Sequence, residues 1–141
     1  MRLRDVSLLL LILGGAGAAA AQEPKAILGV WRGTSLCVNR EAAPACRDEQ
    51  VIYEFKETSP PSAGKLTLSA DKIEEGKPVL MGVFDLAWDP KEGAWTSEIQ
   101  NSRLHILWSF ASRGDDLTGT LVLLPGRTLV RKAAARRAPK T

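Results

Sequence analysis

Few residues in this chain carry the chemistry that most enzymes and metal sites need. The 141 residues include one histidine, two cysteines and one tyrosine. A histidine-dependent mechanism would have to use His105, and no serine or cysteine partner for it is identifiable. The adjacent carboxylates Asp115 and Asp116 lack both the spacing of a calcium loop and histidine support. We therefore expect no enzyme, no metal site and no cofactor.

A large excess of one charge is also missing. The 19 basic and 16 acidic side chains of the chain argue neither for nor against a polyanionic partner. Basic residues are concentrated only at the C-terminus, in RKAAARRAPKT, and no aromatic residue lies among them to stack on nucleic-acid bases. We interpret residues 133–141 as a solvated basic tail, with contact to an anionic surface as the alternative, and we do not expect a nucleic-acid partner.

The only long apolar run lies at the N-terminus. Arg2 and Arg4 precede SLLLLILGGAG, and AAAAQ follows, which is the order of a signal peptide with small residues for cleavage. The run falls short of about 20 residues, so a membrane-spanning helix is the weaker interpretation. We expect residues 1–21 to be removed after Ala21 and the product to be periplasmic or secreted, without a transmembrane anchor.

Two cysteines, Cys37 and Cys46, fit an oxidising compartment and are predicted to form one disulfide. Their spacing is not C-x-x-C, which argues against a redox or metal pair. Strand alternation raises a conflict, because Cys37 shares a face with Trp31 whereas Cys46 opposes the face of Val51. A bulge at Gly33, or an irregular approach through EAAPAC, would reconcile the two.

The chain after the signal peptide is patterned for strands. It has almost no 3.6-residue periodicity, and eight short apolar-rich runs are separated by turn residues. No segment resembles a crossover helix, so neighbouring strands are expected to pair antiparallel. We predict an all-β fold, with an eight-stranded up-and-down barrel over residues 29–132. The alternative is a two-sheet β-sandwich, which usually needs longer connections.

The start of the first strand carries a family resemblance. GVWRG, opening an eight-stranded meander, resembles the G-x-W start of the lipocalin and wider calycin barrels. The resemblance implies that Trp31, following Gly29, closes one end of the barrel beneath an arginine from near the last strand. Arg131 in TLVRK is the predicted partner, with Arg127 and Arg136 as rivals. The chain after the signal peptide is also similar to small exported bacterial proteins.

Alternation also predicts which side chains point into the barrel. The inward residues are expected to be Trp31, Val51, Tyr53, Phe55, Leu66, Leu68, Leu80, Phe84, Leu86, Trp95, Leu104, Ile106, Trp108 and Phe110. They either fill a core or line a pocket for a hydrophobic molecule, and the sequence leaves both open. Gly82 and Gly119 interrupt these faces and either leave room for a guest or relieve a tight corner.

Two functions follow from this pattern. The first is an exported, non-enzymatic, lipocalin-like barrel that binds a small hydrophobic ligand, with Tyr53 and Trp88 at its rim. The candidate ligand contacts are Tyr53, Phe84, Trp88, Trp95, Trp108 and Phe110. The second is a protein-binding module, because small disulfide-bearing barrels with a free N-terminal segment resemble bacterial protease inhibitors. That resemblance implies a protein partner whose cleft receives the N-terminal arm QEPKAIL, residues 22–28.

Overall fold

Eight antiparallel strands, connected in sequence order, make up most of the described chain. The computed structural model describes residues 24–139. The predicted signal peptide and its cleavage site lie outside the described residues. A short 3-10 helix, Pro24–Ile27, precedes the first strand. The strands are β1 (Gly29–Cys37), β2 (Glu49–Glu57), β3 (Lys65–Glu74), β4 (Lys77–Asp89), β5 (Ala94–Gln100), β6 (His105–Arg113), β7 (Asp116–Leu123) and β8 (Thr128–Arg137).

The strands close into a barrel. Each pairs antiparallel with the next, and β8 pairs with β1 from Trp31 opposite Arg137 to Cys37 opposite Arg131. Closure leaves neither the first nor the last strand as a free edge. The predicted eight-stranded up-and-down barrel is confirmed, and the two-sheet sandwich is wrong.

The alternating strand directions define two ends of the barrel. The closed end contains the 3-10 helix, the start of β1, the β4–β5 turn and the end of β8. The far end contains the β1–β2 loop, residues 38–48, the β3–β4 turn and the start of β8. Aromatic residues near the start and near the end of a strand therefore lie at different distances from the closed end of the barrel.

Most side chains that were predicted to point inward are buried or, like Phe84 and Trp108, partly buried, but Leu80 and Leu104 are exposed. Leu80 is 60% exposed, because the β3–β4 register shifts between Ala70 and Asp71. The shift leaves Met81 as the extra residue on β4 and reverses the face of the residues before it. Leu104 lies in the loop before β6, outside the alternation of that strand.

The predicted disulfide is present and joins the end of β1 to the loop before β2. The Cα atoms of Cys37 and Cys46 are 6.0 Å apart. β1 continues through Gly33 without a register shift, so the bulge considered there is absent. Cys46 precedes the first residue of β2, and the irregular approach through the loop resolves the conflict of faces. Closing this short loop should stabilise the fold by roughly 2 to 3 kcal/mol in the chain-entropy model.

The boundary placed at residue 132 is too early, because β8 continues to Arg137. Ala133 and Ala135 point inward and are buried, while Lys132, Ala134 and Arg136 are exposed. This alternation of small and charged residues suits a strand with one buried face, and it pairs with both β1 and β7. Most of the segment predicted as a basic tail is therefore part of the barrel wall.

Candidate functional site

The closed end is sealed by Trp31. This side chain is fully buried, and its Nε1 donates a hydrogen bond to the carbonyl oxygen of Ile27 at 2.8 Å. The guanidinium carbon of Arg137 lies 4.2 Å from the centroid of the Trp31 ring. The same guanidinium donates to the carbonyl oxygens of Leu28 at 2.8 Å and Ala26 at 2.6 Å. One arginine thus binds both the tryptophan and the segment that leads into β1.

The prediction that Arg131 covers Trp31 is wrong. The β1–β8 register sets Arg137 directly opposite Trp31, whereas Arg131 lies opposite Cys37 at the other end of the strand pair. Of the two rivals, Arg127 precedes β8, and Arg136 points outward and pairs with an exposed carboxylate. Arg137 escaped prediction because the chain around it was taken for a tail.

The described part of the predicted N-terminal arm is packed against the barrel. Ile27 is buried in the core next to Trp31, and the carbonyls of Ala26 and Leu28 are held by Arg137. Lys25 pairs with Glu57. These contacts hold residues 25–28 at the closed end, which disfavours their insertion into the cleft of another protein.

A cavity of about 200 Å³ occupies the middle and far half of the barrel. Its lining combines aromatic, aliphatic and polar side chains from seven of the eight strands. The lining residues are Ser35, Glu49, Tyr53, Leu68, Ala70, Met81, Phe84, Leu86, Ser97, Trp108, Phe110 and Arg131. The interior is therefore filled at the closed end and hollow beyond it.

Four of the six predicted ligand contacts line this cavity: Tyr53, Phe84, Trp108 and Phe110. Trp88 and Trp95 do not. They face each other across the β4–β5 pair, with ring centroids 5.4 Å apart, beside the turn at the closed end.

The expected rim at Tyr53 and Trp88 is also wrong, because strand direction places both residues away from the far end. Tyr53 lies in the middle of β2 and is buried, while Trp88 is next to the last residue of β4.

The aromatic wall of the cavity is centred on Phe110. Its ring is stacked on Trp108 at 5.4 Å with an 11° interplanar angle, and it meets the edge of Tyr53 at 5.3 Å. Gly119 pairs with Phe110 on the neighbouring strand, and a Cβ there would lie 2.9 Å from the Phe110 ring. Gly119 therefore makes room for an aromatic ring of the wall.

A polar corner, formed by Ser35, Glu49, Tyr53 and Arg131, lies toward the far end of the cavity. Nη1 of Arg131 donates to the carbonyl oxygen and Oγ of Ser35, at 3.1 and 3.0 Å, and lies 3.4 Å from Oε2 of Glu49. Nη2 donates to the carbonyl oxygen of Arg47 at 2.8 Å and lies 3.1 Å from Sγ of Cys46. Arg131 thus links the cavity wall to the disulfide-bonded loop.

Sequence reasoning missed this corner because it assigned Arg131 to the wrong end. The available signal was alternation along β8, where Arg131 shares a face with the buried Ala133 and Ala135. Glu49 likewise shares a face with Val51 and Tyr53 on β2. A charged pair on inward positions of two strands would have pointed to a polar group inside the barrel.

Tyr53 remains a neutral hydroxyl in this corner. Burial raises the pKa of Tyr53 to about 12, although its hydrogen bond with Ser35 and the charge of Arg131 act in the opposite direction. The cavity therefore presents one anion, one cation and neutral hydroxyl groups.

The described part of the chain contains no cluster of side chains suited to metal binding. Among residues 24–139, no three histidine, cysteine, aspartate or glutamate side chains are grouped so that they could hold a metal ion. His105 is on the outward face of β6, with Nε2 3.3 Å from Oε1 of Glu98. Within the same range, no helix is long and apolar enough to cross a membrane.

Comparisons with known proteins show what this barrel resembles. No protein-family model matches the chain, and no curated protein sequence is similar to it. Fatty-acid-binding protein 1 of Echinococcus granulosus is similar in structure, with a TM-score of 0.55 and 10% sequence identity, over 82% of this chain and 99% of that protein. The siderocalin Ex-FABP, described as functioning through dual ligand specificities, matches with a TM-score of 0.52 and 12% identity, over 81% of this chain and 75% of its own.

These similarities concern the fold. Both structures support the calycin-type barrel that the G-x-W start of β1 predicted, and that prediction is confirmed.

Proposed function

We propose that this chain is an exported, non-enzymatic barrel that binds a small hydrophobic molecule in its interior. The observation that carries the proposal is the cavity of about 200 Å³, walled by Tyr53, Trp108 and Phe110 and with a polar corner toward its far end. Mostly apolar pockets with a few convergent polar groups are typical of small-molecule sites. The names of both structural neighbours refer to fatty-acid binding or ligand specificity, which supports the same function. The predicted signal peptide and the disulfide support export.

The experiment uses Met81 as a reporter inside the cavity. The chain has two methionines, Met1 in the predicted signal peptide and Met81 in the cavity lining. Residues 22–141, labelled with 13C at the methionine methyl group, should therefore give one cavity signal. Titration with p-xylene, a small apolar probe, is expected to shift that signal saturably. A signal that does not move up to the solubility limit of p-xylene would contradict the proposed function.

A pair of matched variants tests whether the shift arises inside the barrel. Ala70 lines the cavity on β3, and Ala70→Phe should fill it and abolish the shift. Ser69→Phe adds the same ring at the neighbouring position, which points outward, and should leave binding unchanged. Equal binding by both variants would place the probe outside the cavity.

A further inference from the structure

The charges that line the cavity restrict the ligand that it can hold. Arg131 and Glu49 are the charged side chains of the lining, and they form an ion pair with 11% and 22% of their side chains exposed. Their charges cancel, so the occupied cavity is neutral only if its ligand is neutral. Burying a further charge without a partner costs several kcal/mol.

The guanidinium of Arg131 is already engaged by the protein. Its two terminal nitrogens contact Ser35, Glu49, Cys46 and Arg47, and these contacts hold it against the loop between β1 and β2. A ligand carboxylate at the terminal nitrogens would displace such contacts, and it would then lie beside the like charge of Glu49. Lys72, on β3, is paired with Glu74 at 2.7 Å.

A cationic headgroup meets the opposite difficulty. It could approach Glu49, but the guanidinium of Arg131 lies within 3.4 Å of the same carboxylate. An ammonium group would therefore compete with an existing buried cation. A hydroxyl group can donate to a carboxylate oxygen or pair with the Tyr53 and Ser35 hydroxyls without changing the charge of the site.

The size of the cavity limits the ligand further. Drug-sized ligands usually occupy pockets of about 300 to 1,000 Å³, whereas an apolar cavity of about 150 Å³ binds benzene. The cavity here, at about 200 Å³, lies between these values and nearer the second. The stacked rings of Trp108 and Phe110 form a flat aromatic wall along it.

We infer that the ligand is a compact, uncharged molecule of one or two rings that carries a hydroxyl group, with its ring against Trp108 and Phe110 and its hydroxyl in the polar corner. This inference rests on the proposed function and narrows it to a chemical class. Such a site disfavours long-chain carboxylates because of their size and charge, and amines because of their charge.

A series of four probes with a common 4-methylphenyl group tests the inference. The probes are p-xylene, 4-methylbenzyl alcohol, 4-methylbenzoate and 4-methylbenzylammonium, which share one ring and differ in the polar group. The Met81 methyl signal reports the binding of each. We expect the alcohol to bind about tenfold more tightly than p-xylene, the gain from one hydrogen bond to a charged or hydroxyl partner. We expect the two ions to bind at least tenfold more weakly than the alcohol.

Different results would contradict the proposed function and the inferred ligand class. Absence of any p-xylene binding contradicts the proposed function itself. Binding of p-xylene together with tightest binding of the carboxylate or the ammonium leaves the function standing and overturns the inferred class. Palmitate binding as tightly as the alcohol would overturn the size limit.

A conservative variant tests the role of the charge pair. Glu49→Gln removes the negative charge and keeps the shape of the side chain. It should improve binding of 4-methylbenzoate at least tenfold and leave p-xylene within about twofold. Glu54→Gln, on the outward face of β2, is the matched control and should change neither. An unchanged affinity for 4-methylbenzoate in Glu49→Gln would overturn the electrostatic argument.

Discussion

Tyr53 is the only tyrosine of the chain, and its hydroxyl is buried among the polar residues of the cavity. Burial of a phenol is tolerated where the hydroxyl finds a partner, and Ser35 supplies one here. The same rule applies to Arg131, whose buried guanidinium is surrounded by acceptors. Single polar residues inside this barrel are therefore placed where their hydrogen bonds are made.

The shifted pKa of Tyr53 predicts a loss of stability at high pH. An exposed tyrosine in the unfolded chain ionises near pH 10, whereas the folded protein holds the proton to about pH 12. The stabilising contribution is fully present below pH 10 and is lost as pH rises through 12, by about 2 to 3 kcal/mol in the free energy of unfolding.

Urea unfolding at a series of pH values measures this loss, and tyrosinate absorbance reports one residue because the chain has one tyrosine. Tyr53→Phe, although less stable at neutral pH, should lack the component of the loss between pH 10 and 12. An identical loss in the variant and the wild type would assign the effect to other groups.

At the scale of elements, the short 3-10 helix and the end of β8 act together to close the barrel. Neither forms a core by itself. The helix has four residues, too few to be stable alone, and Arg137 fixes the helix and the residue after it through the carbonyls of Ala26 and Leu28. The closing element therefore depends on a side chain more than a hundred residues away in sequence.

Replacing Arg137 tests this dependence. Arg137→Ala removes the contact with Trp31 and both carbonyl hydrogen bonds, and we expect the free energy of unfolding to fall by about 2 to 3 kcal/mol. Arg136→Ala is the matched control, since Arg136 is exposed and pairs with the exposed Asp116, and it should cost less than about 1 kcal/mol. The urea midpoints of the two variants, followed by tryptophan fluorescence, give the comparison. Equal losses of unfolding free energy would contradict the role of Arg137 in closing the barrel.

At the scale of the whole molecule, the distribution of side-chain volume creates the cavity. Trp31 and Trp95 fill the closed half, whereas small residues such as Ser35, Ala70 and Ala133 occupy inward positions further along. An eight-stranded barrel has an interior just wide enough for side chains or one small ligand. Small inward residues in one half therefore leave a space that large residues elsewhere do not fill.

Barrel closure itself depends on Gly33. A Cβ at this position would lie 2.0 Å from the carbonyl oxygen of Ala134 and 2.5 Å from the Cα of Ala135. Both are backbone atoms, so no rotamer change relieves the overlap. Gly33→Ala is expected to destabilise the barrel by about 3 kcal/mol or more, the upper range of overpacking, or to prevent folding.

Thermal unfolding followed by circular dichroism, together with soluble yield, measures the effect. Gly126→Ala is the control, since a Cβ there would meet only Oγ1 of Thr128 at an ordinary 3.6 Å, and it should stay within about 0.5 kcal/mol of wild type. A Gly33→Ala protein as stable as this control would show that the β1–β8 contact is not tight.

Strand number, antiparallel order, the disulfide pair and the tryptophan at the closed end all followed from the sequence. Each rests on local information: two-residue alternation, turn residues, cysteine count and one short motif. Four of the six residues predicted to contact a ligand, including Trp108 and Phe110, line the cavity, because alternation decides which side of a strand a residue faces.

The tertiary structure alone decided which residues of different strands meet. Strand stagger set Arg137 rather than Arg131 over Trp31, and strand direction set Trp88 and Trp95 at the closed end rather than in the cavity. The shifted register on β4 placed Met81 rather than Leu80 on the cavity lining. Alternation determines whether a residue faces inward or outward, but not its position along the barrel axis. That position depends on the register of every strand pair around the closed barrel.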